Sequence, residues 1–287
     1  SLPSKWVEKN HVEKGDKLEV VETEGTLTLS KTTKRIHKEI MLDVSEYGHM
    51  TGRVVGALYK TGYDRVKLTY KNDDMFEIIQ KELKKGFIGF DIINHAKGYC
   101  IIESMATIQP EELDNAMRRL FRLLIDNAEE SLNAAKEKNF AELEAIAAKD
   151  INVNKFSDFS RRLLNKYGYS NPEKTTLVYF IAEDLENIGD DYSQICLYMA
   201  RNKVSLSPKI LGLYKRTCEF LKQFYELYYS FSEQKYNTFG DTYKKLMREM
   251  DSYYETLKNK ELVVLLRLQG ISTSIFDLNG PLITLKL

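Results

Sequence analysis

The chain has 287 residues and balances 42 Lys plus Arg against 42 Asp plus Glu, so no global field draws it to nucleic acid or to an anionic membrane. That length exceeds one average domain and allows two or three units, each with a normal core. Three widely spaced cysteines (Cys100, Cys196, Cys218) fit neither a disulfide framework nor a zinc site and point to a reducing cytoplasm, and no apolar run approaches the ~18 residues of a membrane span.

Residues 1–34 read as a small β unit that begins in its middle. Pro3 and Ser4 open a turn of helix, His11-Val12-Glu13-Lys14-Gly15-Asp16 is a turn, and β-rich runs at 17–21 and 26–30 flank Glu24-Gly25 as a hairpin. One hairpin and one helical turn cannot hold a core alone, so the unit is expected to swap strands with a second copy or to lack its first strand. Ser1 is not a natural start, and residues upstream of it are expected. The pattern Leu2-Pro3-x-x-Trp6 followed by Gly15-Asp16-Lys17-Leu18-Glu19-Val20 resembles the AbrB/SpoVT/MazE group of swapped-hairpin DNA-binding domains. That resemblance implies a homodimer and DNA as a partner, with Lys5, Lys9 and Lys14 as candidate contacts. The stretch holds six Lys and six acids and so has no net positive charge, against the basic face a DNA-reading module needs; the resemblance implies that much of that face comes from a strand before Ser1, the other reading being a dimerisation clasp.

Residues 35–107 read as a separate small α+β unit in the order β-α-β-α-β-β. The spacing predicts a strand at 36–44, a helix capped by Ser45 and running to about 60, and a strand at 64–70. A second helix follows, capped by Asn72-Asp73-Asp74 and ending at Lys84-Lys85-Gly86. A hairpin of 88–93 with 98–103, closed by His95-Ala96-Lys97-Gly98, completes a small sheet with helices on one face. His49 and His95 have no nucleophile motif beside them and read as surface or capping residues. A small-molecule sensor role for this unit is fold-level analogy.

From Pro110 the composition changes to long helices. Leu113, Met117, Leu120, Leu124, Ala128 and Leu132 recur at helical spacing, and a second helix runs through Asp150 and Asp158 to about 167. The third, from Thr175 to Ala200, carries Val178, Ile181, Leu185, Ile188, Tyr192, Ile195 and Met199 as a bundle seam. Its acids Glu183, Asp184, Glu186, Asp190 and Asp191 have no Lys or Arg among them. Glu186 and Asp190 stand one turn apart and repel by a few tenths of a kcal/mol unless a cation lies between them. The scheme repeats with helices expected at 209–232, 239–257 and 261–280, in which Val264, Leu268, Ile271, Ile275, Leu278 and Leu282 duplicate the seam. The acids are not duplicated, because Glu186 and Asp190 fall on Gln269 and Thr273. Asp150 precedes Glu186 by 36 positions, whereas the nearest counterpart pair, Asp251 and Gln269, is 18 apart.

The segment Leu185-Glu186-Asn187-Ile188-Gly189-Asp190-Asp191 resembles the third-helix signature of the PhoU family, bundle proteins that regulate phosphate uptake. The resemblance spans about residues 110–287 and implies a mainly α architecture with two three-helix repeats, at 108–203 and, degenerate, at 204–287. It also implies E(D)xxxD metal motifs: Ala148-Lys149-Asp150-Ile151-Asn152-Val153-Asn154 matches the first with Asn154 for its second carboxylate, and Glu186 with Asp190 matches fully. In the second repeat only Asp251 and Glu255 keep the spacing. Asp150, Asn154, Glu186 and Asp190 would suit one divalent or ferric ion in the first repeat. Unpaired acids serve equally as a dock for a basic partner, and most charge runs are plain solvated faces.

An AbrB-like start with a PhoU-like end is similar to archaeal phosphate-uptake regulators. The expected protein is therefore a cytoplasmic, non-enzymatic regulator whose partners are DNA and phosphate transporter or signalling proteins. No phosphate-cradling glycine loop, nucleophile elbow or metal-hydrolase motif occurs in the sequence. The competing classes are a carboxylate-bridged metal-binding bundle enzyme and a small-molecule-sensing transcription factor unrelated to phosphate. A di-iron bundle wants Glu-x-x-His pairs, and no His follows His95.

Overall fold

The structure, a computed structural model, describes residues 2–23, 25–31, 37–105, 109–254, 257 and 260–287. Helix α1 (Ser4–Lys9) starts behind Pro3, whose fixed φ suits a helix start. Strands β1 (Leu18–Thr23) and β2 (Thr26–Lys31) pair antiparallel from Leu18↔Lys31 to Thr23↔Thr26. A two-residue connection therefore closes the hairpin, with Gly25 at φ +80°; its neighbour Glu24 lies outside the described residues. Among the described residues this unit contributes nothing to either hydrophobic core, and Val20 and Leu27 stand exposed on its strands.

The second unit has the expected element order. Strand β3 (Glu39–Asp43) pairs parallel with β4 (Arg65–Thr69), and β6 (Tyr99–Ser104) pairs antiparallel with both β4 and β5 (Phe90–Ala96), giving the order β3-β4-β6-β5. Val66, Leu68, Cys100 and Ile102 share one buried face, covered by helices α2 (Thr51–Thr61) and α3 (Asp74–Lys84) through Val55, Tyr59 and Ile79. Ile36, expected to begin the first strand, lies outside the described residues. The helix expected from Ser45 starts instead at Thr51. Gly48 takes φ +52°, which breaks a continuous helix, and the Ser45 hydroxyl accepts from the Lys71 N–H rather than capping α2.

The bundle comprises α4 (Glu112–Glu137), α5 (Phe140–Tyr167), α6 (Thr175–Asn202), α7 (Pro208–Tyr229), α8 (Glu233–Asp251), α9 (Lys260–Asp277) and α10 (Asn279–Lys286). All seven seam residues of α6 and all six of their duplicates are buried. The two triplets do not bury separate cores: one continuous cluster runs from Leu113 to Leu285, with α4 against α7 and α6 against α9 and α10. Two boundaries differ from expectation. Helix α8 begins six residues before Phe239 because Ser232 accepts from the Lys235 N–H and caps it there. At the C-terminal end α9 stops at Asp277, near the expected 280, but the helical region continues as α10, which carries Leu282 into the core.

In the second triplet the positions matching the acids are neutral and hydrogen-bonded. Gln269 Nε2 donates to Asp251 Oδ1 at 3.0 Å, and the Tyr243 and Thr273 hydroxyls lie 3.3 Å apart. Glu255 lies outside the described residues. Among the described residues no helix is long and apolar enough to cross a membrane.

Candidate functional site

Helix α5 carries Asp150, Asn154, Ser157, Asp158 and Arg161 at i, i+4, i+7, i+8 and i+11, a single stripe along one side. Helix α6 answers with Glu183, Glu186 and Asp190, running the opposite way. The two helices approach closely at Gly189, where an added Cβ would lie 3.0 Å from both Asp150 Oδ1 and Val153 Cγ1. A side chain there would press on Asp150 and Val153, and glycine lets the two helices close up.

At one end of the stripe sits a cation that the run of acids in α6 does not contain. The Arg161 side chain is only 4% exposed and pairs with Asp158 at 2.8 Å, Glu183 at 3.2 Å and, closely, Glu186. Ser157 Oγ donates to the Ala182 carbonyl at 2.8 Å and stands 3.1 Å from Glu186 Oε2. Lys60 of α2 reaches Asp158 at 3.1 Å, so a chain of alternating charge runs from α2 through α5 to α6. Burial outweighs the Arg161 guanidinium and keeps the Glu186 carboxyl above its ordinary range.

At the other end like charges meet. Burial first, then the hydrogen bond to Asp190 and its charge, push Asp150 up to about 7. Asp150 Oδ1 and Asn154 Oδ1 are buried with no hydrogen-bond partner.

The four residues do not form a preassembled ion cage. Glu186 is committed to Arg161, and among the described residues no group of three or more His, Cys, Asp or Glu side chains is placed to hold a metal. The orphaned oxygens of Asp150 and Asn154 suit a hard cation; Asp190 stands by them, and Glu186 acts on Asp150 by its charge while paired with Arg161.

The next residue along α5 faces the other way. Arg162, 1% exposed, donates to the Tyr59 carbonyl at 2.7 Å and lies over the rings of Tyr59 and Phe90. Asn165 Nδ2 donates to the Lys60 carbonyl at 3.0 Å. These two side chains satisfy carbonyls that the end of α2 leaves open, and the Arg162 charge suits the negative end of a helix. Lys166 pairs with Asp64, whose carboxyl is held below its ordinary value against the opposing effect of burial.

Of the other sequence candidates, Lys5, Lys9 and Lys14 are exposed on α1 and the turn after it. His95 stacks on Phe76 with centroids 4.6 Å apart, and His49 lines a cavity between α2 and α5. Arg161, Arg162 and Lys60 went unremarked in the sequence reading. The signal for Arg161 was its place on the same stripe as Asp150 and Asn154.

No family model matches the chain, and no curated protein matches it. Among solved structures the chain is similar to one described as the phosphate transport system regulatory protein PhoU from Streptococcus pneumoniae. The identity is 17% and the TM-score 0.48, over 62% of this chain and 94% of that one.

Proposed function

We propose that the chain is a non-enzymatic regulator of phosphate uptake or the phosphate response, working in the cytoplasm through contacts of its bundle with a transporter or signalling protein. The observation that carries this reading is the asymmetry of the two triplets. The seam is kept in both, yet only the first keeps an acidic stripe, with Glu183 and Asp190 exposed, while its duplicate is neutral at Gln269 and Thr273. A feature that packing does not require and that one copy has dropped is a candidate for contact rather than for stability. Opposite charge on a partner would be drawn to it with marked salt dependence.

The N-terminal hairpin, which adds nothing to either core among the described residues, fits a role in pairing two copies and in contacting DNA. Phosphate uptake measured in the native cell tests the main reading. Deletion of the gene and Asp190→Lys with Glu183→Lys should both alter uptake when phosphate is plentiful; unchanged uptake in the deletion refutes it. Sedimentation tests the hairpin: the intact chain should be a dimer and a chain lacking residues 1–34 a monomer, and a monomeric intact chain ends the pairing idea.

A further inference from the structure

Between the α+β unit and the bundle lies a cavity of about 540 Å3 lined by both cations and carboxylates. Five cations line it: Arg53 and Lys60 of α2, Lys81 of α3, Lys85 just beyond it, and Lys155 of α5. Lys60 is engaged by Asp158 at 3.1 Å and Lys85 by Glu82 at 2.6 Å. Arg53, Lys81 and Lys155 have no acidic partner among the described residues. They come from three separate elements and line one space, where an anion between them would lower their mutual repulsion. The start of α2, at Gly52 and Arg53 in the same lining, adds the positive end of a helix. Asp190 and Glu186, which accept hydrogen bonds, also line the cavity, with Phe87 and Ile151 as apolar lining.

We propose that this cavity binds a small organic phosphate. Its phosphate group would sit among Arg53, Lys81 and Lys155, and its hydroxyl or amino groups would point to Asp190. The volume falls in the range of roughly 300–1,000 Å3 used for whole small-molecule ligands and is more than a bare oxyanion needs. A phosphate monoester carries a charge of about −1.5 to −2 and three acceptor oxygens, which serves three separate donors. A carboxylate is met fully by a single guanidinium fork. The inference goes beyond the regulatory reading and does not rest on it, since the phosphate would be held by Arg53, Lys81 and Lys155, although Asp190 borders both the cavity and the exposed acids.

Calorimetric titration of the full chain with AMP, ribose 5-phosphate, adenosine, citrate and inorganic phosphate, at fixed ionic strength, tests it. AMP or ribose 5-phosphate should bind at one per chain, at least about tenfold more tightly than inorganic phosphate or citrate, with adenosine silent. Arg53→Ala and Lys81→Ala, both at exposed positions, should each weaken that binding about tenfold or more, the effect of losing one charged hydrogen bond. The remote Lys136→Ala should leave it unchanged. The proposal is overturned if neither phosphate ester binds, if citrate or inorganic phosphate binds as well, or if binding ignores both substitutions.

Discussion

Replacing Arg161 with Ala removes the cation that serves three carboxylates at the buried end of the acidic stripe. The side chain is 4% exposed and serves Asp158, Glu183 and Glu186 together. After its removal Asp158 keeps Lys60 and Glu183 keeps solvent, but Glu186, 21% exposed, keeps only Ser157. Breaking a buried pair from one side costs about 3–5 kcal/mol, and with two of the three carboxylates still served the lower end applies, about 3 kcal/mol. For a chain of this size that is a fall in Tm of roughly 6–12 °C. Glu186 escapes part of the penalty by taking up a proton, so the loss should be larger at pH 8 than at pH 5. Urea and thermal unfolding followed by circular dichroism at both pH values measure it. The control is the double variant with Glu186→Gln, which removes the stranded charge and should recover at least about 1 kcal/mol over Arg161→Ala alone. A loss below about 0.5 kcal/mol, or strict additivity in the double variant, refutes the view that Arg161 is the cation the stripe needs.

Gly189→Ala should destabilise by about 1–3 kcal/mol despite the better helix propensity of Ala, because Val153 lies 3.0 Å from the new Cβ in a closed core; Gly270→Ala, with open space around it, should gain up to about 1 kcal/mol in the same unfolding assay. Leu185→Ala should cost about 2–5 kcal/mol, while Phe180→Ala, exposed on the same helix, should stay within about 0.5 kcal/mol. Asp150, raised from 3.8 to about 7 in the folded chain, holds a proton between those values that the unfolded chain has lost, so stability contributed at this site falls as pH rises through that window and levels off above it. Asp150→Asn should flatten that slope, leaving the variant about 1–2 kcal/mol less penalised at pH 8 than the parent once solvent screening is allowed for; an unchanged slope in unfolding curves from pH 5 to 8 would contradict it.

Helix periodicity made most of the bundle legible. Each seam residue from Val178 to Met199, and its duplicate from Val264 to Leu282, is buried because apolar spacing of three and four dictates one face whatever the partner helix is. Boundaries were harder where a single residue decides them. Gly48 breaks the run from Ser45, and the Ser232 cap starts α8 early, since one hydroxyl or one positive φ outweighs the propensities around it. In the site, the sequence showed the acids of α6 without a cation among them, and their counter-ion was sought outside the chain. The cation lay on the neighbouring helix, Arg161, 25 residues before Glu186. A scan for compensation along α6 alone cannot find it; laying the α5 stripe against the α6 stripe in antiparallel order does.

The consecutive arginines give that stripe its significance. Successive residues on a helix point about 100° apart, so Arg161 and Arg162 necessarily face different neighbours. Arg161 holds the acids of α6 and Arg162 holds the end of α2, each almost wholly buried. A rotation of α5 that eased one contact would strain the other, and a shift of the α+β unit that moved Tyr59 or Lys60 would pull on Arg162 and on the Asp158 pair next to Arg161. The exposed acids and the cationic cavity are therefore joined through one turn of one helix. Whatever occupies the cavity alters the charges facing Asp190, and whatever docks on Glu183 and Asp190 alters the setting of Arg161. Coupling of that kind is reciprocal, so if the proposed ligand of the joint changes the affinity for the proposed partner of the bundle, the partner changes the affinity for the ligand by the same factor.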